Sequence, residues 1–256
     1  MEIKHLFFSY EKTPILSNIN LKFKRGAVTT LMGANGCGKS TLLNLMSRNL
    51  EPDSGRIYLN RKSIEEYKNK EFARELGMVY QQNRILGDIT VKKLVSYGRT
   101  PYLKPLQKYS EEDLERIDFA LEMTNLKSIQ EKEVAKLSGG QRQRVFIAMA
   151  LAQNSNILLL DEPTTYLDVK YQMDILNLVR KINKDLGITI IMVLHDIMQA
   201  INYSDEVIGL QKGKIVFQGA PKEVLSSEII SELYDTHLII EEFRDSVVVL
   251  PKHMAK

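Results

Sequence analysis

Residues 28–41 read Val28-Thr29-Thr30-Leu31-Met32-Gly33-Ala34-Asn35-Gly36-Cys37-Gly38-Lys39-Ser40-Thr41. A short β-branched and apolar run stops at a glycine. Two more glycines, Gly36 and Gly38, then space the loop, and residues 41–49 (TLLNLMSRN) continue in helix-forming residues. The loop fits G-x-x-x-x-G-K-[ST] with the strand before it and the helix after it that the pattern needs. Glycines let successive backbone N–H groups turn toward one anion, and the helix N-terminus adds its positive dipole end. In such a loop Lys39 reaches the β- and γ-phosphates of a nucleotide, and the Ser40 hydroxyl is a ligand for Mg²⁺. Strand, glycine loop and helix in this order open an α/β nucleotide-binding fold. Cys37, inside the loop, reads either as a redox-sensitive thiol or as a small residue at a variable position.

Working outward, residues 2–9, 19–23 and 55–59 read as further short strands, the last after the turn Pro52-Asp53-Ser54-Gly55. From about residue 88 to 153 the pattern is helical. Ser110-Glu111-Glu112-Asp113 starts a helix with acidic residues in its first turn, and residues 141–152 (QRQRVFIAMALA) form a second strong helix. Residues 88–153 are therefore expected to be a helical subdomain inserted into an α/β lobe made of 1–87 and 154–256. Two continuous apolar runs follow, 157–160 and 188–194, which suit strands buried on both faces of a mostly parallel sheet. Residues 168–186 between them have the length of a crossover helix. Residues 207–210 and 214–218 read as a hairpin around Gln211-Lys212-Gly213. The tail reads as one or two short helices from Pro221 and a strand at 247–250.

The composition bounds the chemistry. The chain has 256 residues, 44% hydrophobic and 26% charged, and its 35 Lys+Arg nearly balance 32 Asp+Glu. The net charge of +3 is too small to argue for a nucleic-acid partner. One cysteine excludes an internal disulfide and any multi-cysteine metal site. No apolar run approaches the ~20 residues a membrane-spanning helix needs, and residues 1–12 lack a signal-peptide layout. The expectation is a soluble, cytoplasmic, globular chain.

Three further motifs carry chemistry. The run Ile157-Leu158-Leu159-Leu160-Asp161-Glu162-Pro163 delivers two carboxylates at the C-terminal end of a buried strand, where α/β sheets bind ligands. Asp161 is a natural partner for Mg²⁺, and Glu162 can polarise an attacking water as general base. His195 ends the next apolar strand. It reads either as a structural histidine or as a neutral imidazole that hydrogen-bonds a γ-phosphate. Leu137-Ser138-Gly139-Gly140-Gln141 opens a helix, and reads either as an ordinary N-cap or as backbone N–H groups offered to an anion.

These elements, in this order, resemble the nucleotide-binding subunit of an ABC transporter over residues 1–218. In that likeness residues 33–41 are the Walker A loop, 157–162 the Walker B strand with the catalytic glutamate, and 137–141 the unsubstituted LSGGQ signature. Gln81 resembles the Q-loop glutamine, although Tyr80 precedes it where many relatives carry proline. Tyr10 sits where the family stacks an aromatic on adenine, 165–168 resemble the D-loop, and His195 the switch histidine. The resemblance implies a P-loop NTPase (RecA-like) core with an N-terminal antiparallel β region and the inserted helical subdomain. It implies ATP and Mg²⁺ as cofactors. The catalytic residues would be Glu162, His195, Gln81 and Lys39. The nucleotide would lie on Tyr10, Gly33, Asn35, Gly36, Cys37, Gly38, Lys39, Ser40, Thr41, Gln81 and His195, with Ser138, Gly139, Gly140 and Gln141 reaching it from a second copy. The metal would take Ser40, Gln81 and Asp161.

As partners, the resemblance implies a second ATPase subunit, two transmembrane permease subunits and, indirectly, a solute-binding protein, with the chain peripheral on the cytoplasmic face of the membrane. The nearest likeness within the family is to importer ATPases for iron–siderophore, haem and vitamin B12. It rests on 161–168, Gly98-Arg99-Thr100-Pro101-Tyr102, Leu194-His195-Asp196 and 213–221. From its apolar and aromatic content, the surface expected to receive the membrane partner is Arg84 to Leu86 with Tyr97 to Tyr102, where Tyr97 and Tyr102 read alternatively as buried core. A soluble ABC ATPase, such as one serving iron–sulfur cluster assembly, is the alternative. A DNA-repair type would need a long coiled-coil insertion and a translation-factor type two motif sets, and neither is present. A non-hydrolysing scaffold would have lost Glu162, His195 or the signature.

Overall fold

The computed structural model describes residues 1–83, 87–243 and 246–252. They fall into two compact units, 1–66 with 191–256 and 67–190. These limits lie outside the 88–153 stretch whose helical pattern stands out in the sequence.

In the first unit, β1 (Glu2–Tyr10), β2 (Thr13–Lys22), β4 (Ser54–Leu59) and β5 (Lys62–Ser63) form an antiparallel sheet in the order β2-β1-β4-β5. Ile3, Leu6 and Phe8 of β1 and Leu16, Ile19 and Leu21 of β2 are buried; the odd steps from 3 to 6 and from 16 to 19 fall at register shifts of the pair, where a bulge resets the period-two alternation. β3 (Val28–Met32) is buried at all five positions, the signature of a strand covered on both faces. It feeds the glycine loop and α1 (Lys39–Met46), as residues 28–41 predict.

The second unit begins with α2 (Asn69–Glu75) and β6 (Leu76–Val79). The helices α3 (Val91–Ser96), α4 (Glu111–Met123) and α5 (Gly139–Ala152) follow. Ser110 caps α4 and Ser138 caps α5, each in a reciprocal capping box. β7 (Ile157–Leu160), wholly buried, pairs in parallel with β6, Val79 opposite Leu160. α6 (Val169–Leu186) ends at Gly187 in the left-handed region.

The buried strand β8 (Thr189–Val193) straddles the division between the units. Back in the first unit come α7 (Ile197–Tyr203), β9 (Glu206–Gln211) and β10 (Lys214–Gly219). β10, β9, β3 and β8 are successive neighbours, with β9 parallel to β3 and β10 antiparallel to β9. α8 (Pro221–Val224) and α9 (Ser227–Tyr234) precede an antiparallel hairpin of β11 (Leu238–Phe243) and β12 (Ser246–Pro251). The sequence predicts the second strand of that hairpin and not the first. Among the described residues no helix is long and apolar enough to cross a membrane.

Candidate functional site

The first unit builds the phosphate loop. β3 runs straight into Gly33, whose φ is +143° and whose Cα lies so near β9 that an added Cβ would stand 2.1 Å from the Leu210 carbonyl oxygen. The loop then curls back through a hydrogen bond from the Cys37 N–H to the Ala34 carbonyl at 3.4 Å. α1 starts at Lys39 with Gly38 as its N-cap. The Lys39 ammonium is buried and donates to the Gly33 carbonyl at 2.8 Å and the Ala34 carbonyl at 2.9 Å. A lysine ammonium in a glycine loop that opens a helix N-terminus makes an anion receptor. Asn35 and Gly36 are exposed at the turn, while Ser40 and Thr41 are half-buried in the first helical turn.

Cys37 lies within this loop, buried, its sulfur 3.8 Å from the Lys39 ammonium. Burial pushes its thiol above the ordinary cysteine range, outweighing the lowering effect of Lys39. That is the opposite of an activated thiolate, so of the two readings of Cys37 the small packed residue is the one its surroundings favour. Tyr10 ends β1 in the same unit. Its ring stands edge-on to Phe8 at 4.9 Å and is 48% exposed, which leaves an open aromatic face. His195 follows β8 and is exposed. Asp196 beside it caps α7 by accepting from the Gln199 N–H at 2.9 Å.

The second unit gathers the acidic pair. The Asp161 N–H donates to the Val79 carbonyl at 2.9 Å, one rung beyond the last pairing of β6 with β7. Parallel strands in register deliver the residues that follow them to the same edge. Gln81 therefore meets Glu162: its side-chain amide donates to the Glu162 carboxylate. The Thr165 hydroxyl donates to the same carboxylate oxygen at 3.0 Å. Glu162 itself sits at φ 49°, a strained conformation of the kind that concentrates at functional positions. Asp161 is buried. Ser138 caps α5, accepting from the Gln141 N–H at 3.4 Å while Gln141 reaches back to the Ser138 N–H at 3.1 Å. Ser138 and Gly139 are exposed, and Gly140 is buried against the ring of Tyr171.

Residues 97–102 do not form an open docking surface throughout. Tyr97 is 46% exposed, but Arg99 is 2% exposed. Arg99 pairs with Asp113 at 2.8 Å, donates to the Ala152 carbonyl at 2.9 Å and lies 3.8 Å over the Tyr102 ring. The Tyr102 hydroxyl donates to the Gln153 carbonyl at 3.0 Å. Burial pushes the Asp113 carboxyl up, but hydrogen bonds from Ser110 and Arg99 outweigh it and hold the group below the usual carboxylate range. This stretch joins α4 to α5. The other expected docking residues, Arg84 to Leu86, lie outside the described residues.

Sequence reasoning did not find Thr165 as a partner of Glu162, Tyr171 beneath Gly140, or the ion pair of Arg144 with Asp174 at 3.1 Å between α5 and α6. The Ser110-x-x-Asp113 spacing signals a helix start. Nothing in it signals the partner of Asp113.

An anion-binding glycine loop with its lysine, and a carboxylate pair at the end of a parallel strand beside a glutamine, define a nucleotide-hydrolysing P-loop protein. Residues 16–165 match the family model described as ABC transporter, and the chain belongs to that family: it is an ATP-binding, ATP-hydrolysing subunit. It is 41% identical over 256 residues to the petrobactin import ATP-binding protein FpuC of Bacillus anthracis, covering 100% of this chain and 94% of that one. It is 42% identical over 237 residues to the ferric enterobactin transport ATP-binding protein FepC of Escherichia coli, covering 93% and 88%. Among solved structures it resembles cbiO1 from Clostridium perfringens, part of the ABC transporter complex cbiONQ (TM-score 0.79, 35% identity, covering 90% and 92%). It also resembles the ATP-binding cassette MJ0796, a dimer in a post-hydrolysis state bound to ADP and Pi (TM-score 0.73, 30% identity, covering 86% and 97%).

Proposed function

We propose that this chain energises uptake of an iron–siderophore-type chelate through separate membrane permease subunits, as a peripheral subunit on the cytoplasmic face of the membrane. The hydrolytic part of the reading rests on Glu162, whose carboxylate is held by Gln81 and Thr165 just past the last rung of a parallel strand pair. The solute part rests on the two relatives named as ATP-binding proteins of petrobactin import and ferric enterobactin transport.

In this reading Tyr10 stacks on adenine. The backbone of Gly33, Asn35, Gly36, Cys37, Gly38, Ser40 and Thr41 takes the phosphates, and Lys39 neutralises them. Glu162 accepts the proton of the attacking water, Gln81 orients that water, and His195 hydrogen-bonds the γ-phosphate. Ser138, Gly139, Gly140 and Gln141 serve the nucleotide of a second copy, so that the working form is a head-to-tail homodimer. The dimeric structure of the MJ0796 cassette supports a dimeric working form.

Ser40 hydroxyl, Asp161 carboxylate and Gln81 amide are hard oxygen donors, and a single carboxylate with substrate phosphates and water is the set Mg²⁺ takes. Among the described residues no group of three or more His, Cys, Asp and Glu gathers, so the donor chemistry is not that of an all-protein cage. When bound, Mg²⁺ neutralises charge developing on the transferring phosphoryl group.

The test is to purify the chain with its membrane subunits, place the complex in vesicles and follow uptake of iron complexed by catecholate, hydroxamate or citrate-type chelators, with a corrinoid for comparison. ATP-dependent uptake of one class of iron chelate is the expected result. Uptake of the corrinoid alone, or co-purification with soluble cluster-assembly proteins and no membrane partner, overturns the reading of the solute.

A further inference from the structure

Residues 138–141 open α5 with two consecutive glycines, Gly139 and Gly140. Of the main-chain N–H groups there, that of Ser138 donates to the Gln141 side chain and that of Gln141 to the Ser138 hydroxyl. Those of Gly139 and Gly140 have no acceptor within the helix, because the first turn of a helix leaves its N–H groups unpaired. They are the donors this segment offers to an anion. Glycine carries no side chain that could hold such a turn in place, and it is a poor helix former. The direction of the two donors is therefore set by what the turn rests on.

That support is the start of α6. A Cβ added at Gly140 would stand 2.8 Å from Cδ1, 2.9 Å from Cγ and 3.1 Å from Cβ of Tyr171. The obstacle includes the root of the tyrosine side chain, so rotation of the ring about its own axis does not relieve it. At Gly139 an added Cβ would meet Leu167 Cδ2 at 3.3 Å, the end of a flexible side chain. Gly140 thus lies on Tyr171 at a distance that only glycine allows. One turn further along both helices the contact is repeated by charge, with Arg144 paired to Asp174 at 3.1 Å. The start of α6 is tied in turn to the segment before it. Gln172 donates through its side-chain amide to the Leu167 carbonyl at 2.8 Å, and Thr165, two residues earlier, holds Glu162.

We propose that Tyr171 is a positioning residue for residues 138–141. Its ring is the seat that aims the Gly139 and Gly140 N–H groups, and so sets how strongly this segment holds the phosphates of a nucleotide carried by a second copy of the chain. Tyr171 acts through Gly140. The same contact accounts for glycine at position 140, since any Cβ there would lift the turn off the ring and turn both donors away. The proposal rests on the reading of 138–141 as the part of the site that a second copy supplies.

The test uses the full chain carrying Glu162→Gln, so that ATP is bound and not consumed, with ATP as the probe and sedimentation equilibrium as the assay. Tyr171→Ala removes the seat. Losing one charge-assisted hydrogen bond at each of the two sites of a dimer, about tenfold apiece, weakens ATP-dependent dimerisation about a hundredfold. ATP affinity of the monomer, set by residues 33–41, is unchanged. Tyr171→Phe keeps the ring and dimerises like the parent. Gly140→Ala alone weakens dimerisation as Tyr171→Ala does. Combined with Tyr171→Ala, which leaves only the Cβ at 3.1 Å, it adds little, because both changes act on one contact. A purely structural tyrosine would lower the melting temperature and leave dimerisation of the folded chain alone. Parental dimerisation by Tyr171→Ala, a loss in Tyr171→Phe equal to that in Tyr171→Ala, or additive losses in the double variant each overturns the proposal. A Glu162→Gln chain that binds ATP and stays monomeric would instead contradict the second-copy reading on which the proposal rests.

Discussion

Gly33→Ala isolates what the phosphate loop demands of its first residue. The added Cβ would lie 2.1 Å from the Leu210 carbonyl oxygen, where Cβ atoms essentially never approach within 3.0 Å, so the two must separate by about 0.9 Å. The obstacle is backbone in a paired strand, not the end of a flexible side chain. Its φ of +143° adds a conformational penalty of roughly 1–3 kcal/mol for a residue with a Cβ. Displacing the loop by nearly 1 Å misaims its N–H groups, and misplacement on that scale lowers kcat/KM by ~10²-fold. Steady-state ATP hydrolysis and calorimetric ATP binding read the loss, and thermal unfolding reads the strain. Gly187→Ala is the control: Gly187 also has positive φ, +66°, but an added Cβ there meets nothing within 4 Å. It should cost about 1 kcal/mol of stability and leave hydrolysis unchanged. Gly33→Ala with parental kcat/KM, or an equal catalytic loss in both variants, would refute the steric argument.

Asp113→Asn and Arg99→Met each strand one partner of a buried ion pair, and each should destabilise the second unit by about 3–5 kcal/mol, measured by denaturant unfolding. Because the folded-state pKa of Asp113 is held down, its stabilisation is full above the unfolded carboxylate value of about 3.9 and is lost as pH falls through the depressed folded value. The Asp113→Asn penalty should therefore shrink in acid, and a penalty independent of pH would contradict the pairing. Tyr10→Ala removes the exposed ring from the end of β1. Loss of a base stack is worth about 1–3 kcal/mol, so the KM for ATP should rise roughly tenfold with kcat kept, and Tyr10→Phe should restore it. An unchanged KM in Tyr10→Ala would remove adenine stacking from the account.

The phosphate loop was legible because its strand, turn and helix are contiguous in the chain, and local chemistry decides all three. β3 and β7 fall at the expected residues, since five- and four-residue runs buried on both faces leave no doubt about their limits. β6 was missed for the opposite reason: Leu-Gly-Met-Val is short and has a glycine at its second position. With it went the register that brings Gln81 to Glu162 across 81 residues of sequence. Residues 97–102 were read as a docking surface for their apolar and aromatic content, and the burial of Arg99 among them depends on Asp113 and the end of α5.

The central claim is that Glu162 is the base of an ATPase, and Glu162→Gln tests it most directly. The carboxylate oxygen that accepts from Gln81 and Thr165 has an amide oxygen as its counterpart in the variant, so the hydrogen bonds can persist while the base is removed. ATP hydrolysis should fall by about 10²–10⁴-fold with ATP binding intact and ATP-bound dimers accumulating on size-exclusion chromatography. Equal turnover by variant and parent would contradict the assignment.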